Sequence, residues 1–310
     1  MSPKKRVVVV MGGISSERDV SLVSGAAISK ALAAEGYDVT SFDLGTDIAA
    51  LIAALTPPPD AVFNALHGRF GEDGTIQGLL EMLGVPYTHS GVLASAIAMD
   101  KPMTKRLVET VGVRTPKGRV ITRADLRQGH PLPPPYIIKP VAEGSTVGVH
   151  IVRPGENLPA IDGSWAFGDT MLAEEYIQGR ELTAGVMGDR ALAVTEIQFQ
   201  GGIFDFTAKY TAGHARHVLP AAIPQPVYDE AMRVALLAHQ TIGCRGISRS
   251  DFRYDDTKPG TTGLYFLEIN NQPGFTPISL VPEQAQRAGI SFGALVRWLV
   301  ENATCERGRS

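Results

Sequence analysis

The segment Tyr265-Phe-Leu-Glu-Ile-Asn-Asn-Gln-Pro-Gly274 sets a carboxylate and an amide inside an apolar, strand-like run. Side chains alternate along a strand, so Glu268 and Asn270 are expected on one face, with Phe266 in the same row. A buried carboxylate without a partner is too costly to keep, so something cationic must meet that face. A second run, Ile247-Ser-Arg-Ser-Asp-Phe-Arg-Tyr254, puts Arg249, Asp251 and Arg253 on one face by the same rule. Side by side, the two strands would gather Asp251, Glu268 and Asn270 into an all-oxygen set. Hard divalent ions such as Mg²⁺ favour such sets, above all where phosphates supply the remaining ligands. The competing reading is a carboxylate salt-bridged to Arg249 or Arg253.

Other segments supply weaker signals. Glu143-Gly-Ser-Thr146 is a hairpin tip whose backbone N–H groups and hydroxyls could fold over phosphates, although alone it reads as an ordinary turn. Lys139 ends the preceding strand and Lys101 opens a helix after Met99-Asp100, so both ammoniums could meet phosphate oxygens. In Leu172-Ala-Glu-Glu-Tyr-Ile177, the strand edge and Glu174 could bond an adenine amino group, and Glu181 could take ribose hydroxyls. Taken locally, a linker strand with exposed acids fits those residues better. Several chemistries are excluded or disfavoured. There is no Walker loop, and Gly12-Gly13 lacks dinucleotide-binding spacing. No nucleophile elbow is present, and His214 with His217 lack a third zinc ligand.

The elements that must position these groups alternate in the first third. Val7 to Val10 reads as a buried strand, Ser15 or Ser16 as the cap of a helix ending at Gly36, and Val39 to Leu44 as a second strand. A helix over 47–55, a strand over 61–66 and a helix over 75–83 complete an open, mostly parallel α/β domain. Ligands in such sheets lie at the carboxyl ends of the strands, where 12–17 and 67–74 fall. Beyond it come a helix over about 103–111, paired strands at 136–140 and 147–152, and longer strands from 181. A helix over 227–242, the two acidic strands and a helix over 292–302 follow, with a polar tail from Thr304 expected to fray. With 310 residues, more than one core is expected. A net charge of −3 with 20% charged residues offers no basic field for nucleic acid or membrane. Two cysteines, Cys244 and Cys305, make no disulfide framework. No signal peptide or membrane span is recognisable, so a cytoplasmic location is expected.

Four long motifs in order resemble the D-alanine–D-alanine ligases of the ATP-grasp superfamily, over nearly the whole chain. They are Gly12-Gly-Ile-Ser-Ser-Glu-Arg-Asp-Val-Ser21, Ala65 through Gly78, Lys139-Pro-Val-Ala-Glu-Gly-Ser145, and Leu267 through Leu280. The resemblance implies an α/β (α+β overall) protein: an N-terminal open parallel-sheet domain (1–100) followed by a two-domain ATP-grasp fold. Its central domain would span 101–182 and its C-terminal catalytic domain 183–310, with a lid loop at about 201–220. It implies ATP and two Mg²⁺ ions (Mn²⁺ being possible), two D-alanine substrates and a homodimer. One D-alanine carboxylate would be phosphorylated and the acyl phosphate joined to the second D-alanine. Asp251, Glu268 and Asn270 would hold the metal; Lys101, Lys139 and Lys209 the phosphates; Glu174, Glu175, Tyr176, Ile177 and Glu181 the adenosine. Glu17, with Ser145 and Tyr210, would receive the first D-alanine, and Arg249 with the Gly274 N–H would serve the oxyanion. Ser279 and Leu280 would take the second carboxylate, in a subsite shaped by His67 and Glu72. The sequence departs from the family's wording at Asn271-Gln272 and Pro277. Tyr210, where D-lactate-joining relatives tend to carry histidine, implies a dipeptide product.

Overall fold

The structure is a computed structural model that describes residues 3–144, 148–158, 167–199, 215–276 and 279–308. The first sheet is built from β1 (Arg6–Gly12), β2 (Asp38–Leu44) and β3 (Ala61–Asn64), parallel and in the order β2-β1-β3. The four valines of β1 are fully buried, as its β-branched run requires of a strand covered on both faces. Helices α1 (Arg18–Ala34), α2 (Ile48–Ala54) and α3 (Thr75–Leu83) connect these strands or follow them. Gly36 and Gly84 close α1 and α3 with φ of 95° and 69°, a left-handed turn that glycine makes without strain. The expected serine cap of α1 is not formed. Glu17 occupies the cap position without a capping bond, and Ser15 Oγ instead donates to the His67 carbonyl at 2.7 Å.

A short α4 (Val92–Met99), unmarked by any cap in the sequence, leads directly into α5 (Lys101–Thr110). Asp100 stops one helix and starts the next, its carboxylate accepting from the Met103 N–H at 2.9 Å. The second sheet holds β4 (Gly118–Thr122), β5 (Tyr136–Pro140), β6 (His150–Val152) and β7 (Thr170–Glu175), in the order β4-β7-β5-β6; helix α6 (Arg123–Arg127) follows β4. All its pairings are antiparallel, including the expected β5–β6 hairpin.

The third sheet is antiparallel, in the order β10-β9-β8-β11-β12. Its strands are β8 (Arg180–Met187), β9 (Arg190–Phe199), β10 (Ala215–Val218), β11 (Ile247–Tyr254) and β12 (Leu264–Asn270). One face packs on α7 (Gln225–Ile242) through Leu182, Val186, Phe252, Phe266 and Ile269, leaving the other for the site. Helices α8 (Leu280–Arg287) and α9 (Phe292–Glu301) return to β1 and α1, sharing a core with Val7, Val9 and Ile28. The tail does not simply fray. Thr304 bridges to Tyr87, and the Glu306 N–H donates to Glu81 at 2.8 Å, so its backbone finds partners that composition could not reveal.

Candidate active site

The two acidic strands lie side by side, Asp251 opposite Glu268 and Arg249 opposite Asn270. Their pairing then slips: Phe252 faces Phe266, so Leu267 is an extra residue in a β-bulge. Strict alternation would put Phe266 in the carboxylate row. The bulge instead turns Phe266 into the core beside Phe252, ring centroids 5.9 Å apart, while Glu268 and Asn270 keep the open face. On that face Arg249 donates to both Asp251 oxygens, Nε to Oδ1 at 2.9 Å and Nη2 to Oδ2 at 2.8 Å. Thr183 of β8 adds a hydroxyl to Oδ1 at 2.7 Å. Glu268 faces Lys101 Nζ at 3.5 Å. The salt-bridged reading thus describes Asp251 here, with Arg249 as its partner. Arg253 turns away to the Ile177 carbonyl (3.1 Å) and Glu181 (3.4 Å).

The donor chemistry fits Mg²⁺. Two carboxylates and an amide oxygen, on adjacent strands and one side, are hard ligands. Among the described residues no three His, Cys, Asp or Glu side chains gather into a cage that could hold a metal unaided. Asp251, Glu268 and Asn270 alone therefore leave coordination positions that other ligands would have to fill.

Helix α5 brings the lysines. Lys101 begins it, pointing Nζ to the Glu143 carbonyl (2.5 Å) as well as to Glu268. Lys105, one turn on, reaches Glu174 of β7, and Lys139 of β5 meets the same carboxylate at 2.5 Å. Glu174 is 1% exposed, so it is no surface acid of a linker strand. Burial works to raise its pKa, but the two ammoniums outweigh it and hold the carboxyl below its usual range. Lys105 did not stand out in the sequence. Its signal is the i, i+4 spacing from Lys101, which puts both on one helix face. Glu175, Tyr176 and Ile177 leave β7 and line a cleft of about 600 Å³ with Ile151, Lys258 and Tyr265. Glu181 lies nearby, against Arg253.

At the first sheet, Glu17 is buried where two backbones pass close by. A Cβ added to Gly68 would sit 2.9 Å from its Oε2, and one added to Gly144 at 3.3 Å. Gly144, in the loop that follows β5, therefore lies against the Glu17 carboxylate. His67 is held between Glu72 (Nδ1 to Oε1, 3.2 Å) and Ser24 (Nε2 to Oγ, 3.3 Å). Burial disfavours the imidazolium, but the bond to Glu72 and the charges of Glu72 and Glu17 outweigh it and raise the His67 pKa. Desolvation raises Glu72 in turn.

Gly274 and Ser279 come together: a Cβ on Gly274 would lie 3.4 Å from Ser279 Oγ. Ser279 caps α8 by position, its hydroxyl accepting from the Thr276 N–H at 3.0 Å, and Leu280 is the first helical residue. The sequence departure at Asn271-Gln272 has a structural reason. Asn271 donates to Ser95 Oγ at 2.8 Å; Gln272 accepts from Asn64 at 2.8 Å and donates to the Leu66 carbonyl. Both amides are buried; Gln272 ties the end of β12 to the first sheet and Asn271 ties it to α4, long-range links with no local sequence signal. Ser145, Lys209, Tyr210 and residues 201–214 of the expected lid lie outside the described residues.

A family profile described as "D-ala D-ala ligase C-terminus" matches residues 107–301, and one described as "D-ala D-ala ligase N-terminus" matches 48–90. The chain is 58% identical over 302 residues to a D-alanine–D-alanine ligase of Gluconobacter oxydans, covering 96% of this chain and 99% of the relative. It is 56% identical over 307 residues to that of Methylobacterium radiotolerans, covering 98% and 99%. Among solved structures it is similar to the Bacillus anthracis ligase complexed with ATP (TM-score 0.80, 28% identity, 96% of each chain). It is also similar to the VanG D-Ala:D-Ser ligase of Enterococcus faecalis (TM-score 0.81, 28% identity, covering 96% and 99%). Both ATP-grasp sheets and the parallel N-terminal sheet are present, and the chain belongs to the D-alanine–D-alanine ligase family.

Proposed function

We propose that this chain is an ATP-dependent D-alanine–D-alanine ligase that makes D-alanyl-D-alanine for peptidoglycan precursors. It phosphorylates the carboxylate of one D-alanine and couples the acyl phosphate to the amine of a second, releasing ADP and phosphate. The observation that carries the reading is the convergence of Asp251, Glu268 and Asn270 with Lys101 on one open face, in a chain whose full-length relatives are ligases.

Glu17 takes the ammonium of the first D-alanine, with Ser145 and Tyr210 as its partners. Lys101, Lys139 and Lys209 hold phosphate oxygens by point charge, and Glu174, Glu175, Tyr176, Ile177 and Glu181 receive the adenosine. Asp251, Glu268 and Asn270 would hold two Mg²⁺ ions, or Mn²⁺, which when bound would supply charge neutralisation at the phosphates. The guanidinium of Arg249, bonded to Asp251 in this structure, would with the Gly274 N–H stabilise the oxyanion at the tetrahedral step. Ser279 and the Leu280 N–H accept the second carboxylate, beside His67 and Glu72. Closure of the lid at about 201–220 excludes water, which would otherwise hydrolyse an acyl phosphate. The enzyme works as a homodimer in the cytoplasm, where ATP is available.

Phosphate release from ATP and Mg²⁺ tests this directly. D-alanine is expected to stimulate it, with dipeptide formed in step. Nucleotide binding without D-alanine-dependent release would favour a regulator on the same fold. A product joined to D-serine, D-lactate or another acceptor in excess over dipeptide would change the substrate assignment.

A further inference from the structure

Lys101 and Lys105 stand one turn apart on α5 but serve different sheets. Lys101 faces Glu268 of β12, and Lys105 faces Glu174 of β7. Glu174 carries two lysines, one on each oxygen: Lys139 at Oε1 and Lys105 at Oε2. The side chains of Lys105, Lys139 and Glu174 are 7%, 10% and 1% exposed. One carboxylate between two ammoniums leaves a positive charge in excess where little water reaches. Such an excess is unfavourable until an anion completes it.

We propose that Lys105 is a positioning residue for ATP: it neutralises Glu174 and so leaves the charge of Lys139 available to a nucleotide phosphate. Without Lys105, Glu174 and Lys139 form a self-satisfied pair with no net charge, and an arriving phosphate must compete with the carboxylate for the ammonium. Lys105 itself touches neither phosphate nor substrate in this arrangement. The groups facing it are Glu174 of β7, Lys139 of β5 and, more remotely, Glu268 of β12. Burial lowers its pKa to about 8, against the raising influence of Glu174. The device therefore holds near neutrality and weakens in mild alkali. The inference rests on the ATP-binding reading above.

The test is equilibrium binding of Mg·ATP to the full-length chain by calorimetry near neutral pH, with melting temperature recorded alongside. The proteins are wild type, Lys105→Met, Glu174→Gln and the double variant. Lys105→Met is expected to weaken binding by at least about tenfold, since a phosphate must then compete with the buried Glu174 carboxylate for the Lys139 ammonium. The double variant is expected to bind within a few-fold of Glu174→Gln, because a neutral amide no longer captures Lys139. Binding by Lys105→Met equal to wild type would overturn the proposal. So would a double variant no tighter than Lys105→Met, which would mark Lys105 as support for the fold alone. Should Lys105→Met fail to fold, the wild type decides: its dissociation constant for Mg·ATP is expected to rise between about pH 8 and pH 9.5, and a flat profile overturns the proposal. A wild type that binds no Mg·ATP at all would instead remove the ATP reading on which the inference stands.

Discussion

Replacing Gln272 by alanine isolates the link between the first sheet and the acidic strands. The side chain is 1% exposed and makes two buried hydrogen bonds, from Asn64 Nδ2 and to the Leu66 carbonyl. Alanine makes neither, so one donor and one acceptor lose a partner in the interior. Each such group costs about 1–3 kcal/mol. Asn64 stays anchored through the Gly71 carbonyl (2.9 Å) and the Leu66 N–H (3.2 Å), and water entering the vacated space offsets part of the loss. The expected cost is about 3 kcal/mol. Asn271→Ala is the internal comparison. It removes a single bond, to a serine hydroxyl that can also donate to Ser90, so about 1 kcal/mol is expected. Urea unfolding followed by far-ultraviolet circular dichroism measures both on one scale. A Gln272→Ala chain within 1 kcal/mol of wild type, or no weaker than Asn271→Ala, would refute the reasoning that buried amide satisfaction holds this junction together.

Three further outcomes are expected. Glu268→Gln should cut the rate of D-alanine-dependent phosphate release by more than about tenfold with a nearly unchanged melting temperature, since it lies on the open face of the sheet, and Asn270→Ala should cut it likewise while also losing the bond its Oδ1 accepts from the Gln272 N–H at 2.8 Å; a wild-type rate would remove that residue from the metal set. Gly68→Ala should raise the KM for D-alanine and cost about 1–2 kcal/mol of stability, because Gly68 has φ of 67° and its new Cβ would press on Glu17; unchanged steady-state kinetics would show that Glu17 lies away from the substrate. His239, buried and bonded to Ser248, has its pKa lowered to about 4 by desolvation. Above about pH 6.5 it is neutral folded or unfolded, whereas between there and about pH 4 only the unfolded chain takes the proton, so stability falls with pH by about 3 kcal/mol in all. His89, lowered to about 3 by burial, acts in the same sense. His239→Gln should flatten the decline of melting temperature from pH 6.5 to pH 4.5, and an equally steep decline would count against the assignment.

The parts of the site legible in the sequence were those where chemistry and local pattern coincide. Asp251, Glu268 and Asn270 stood out because charge sits oddly in apolar strands, and the structure sets them side by side. Lys101 and Lys139 were legible from their places at element ends. The parallel sheet followed from the buried valines of β1 and the glycine-closed helices. Long-range partners were not legible. Nothing near Gln272 announces Asn64, some two hundred residues away, and nothing near Glu81 announces the tail that it holds. Read from its own window Glu174 is an exposed acid of a linker strand, and only the family resemblance gives it a ligand. Its true environment is made by α5 and β5, which no window around residue 174 contains.

The extra residue at Leu267 makes the two sides of β12 answer to different counting rules. Upstream of it, even-numbered residues feed the hydrophobic interior; past it, odd-numbered Ile269 does so. Deleting Leu267 itself would leave Phe266 and Glu268 as neighbours in plain alternation, with every tenant of the two faces in place. Deleting Tyr265 instead would leave Phe266 next after Leu264, turning its ring to the open face and drawing Leu267 into the interior. Single-residue deletions tolerated in relatives should for that reason fall at 267 rather than elsewhere between 264 and 270.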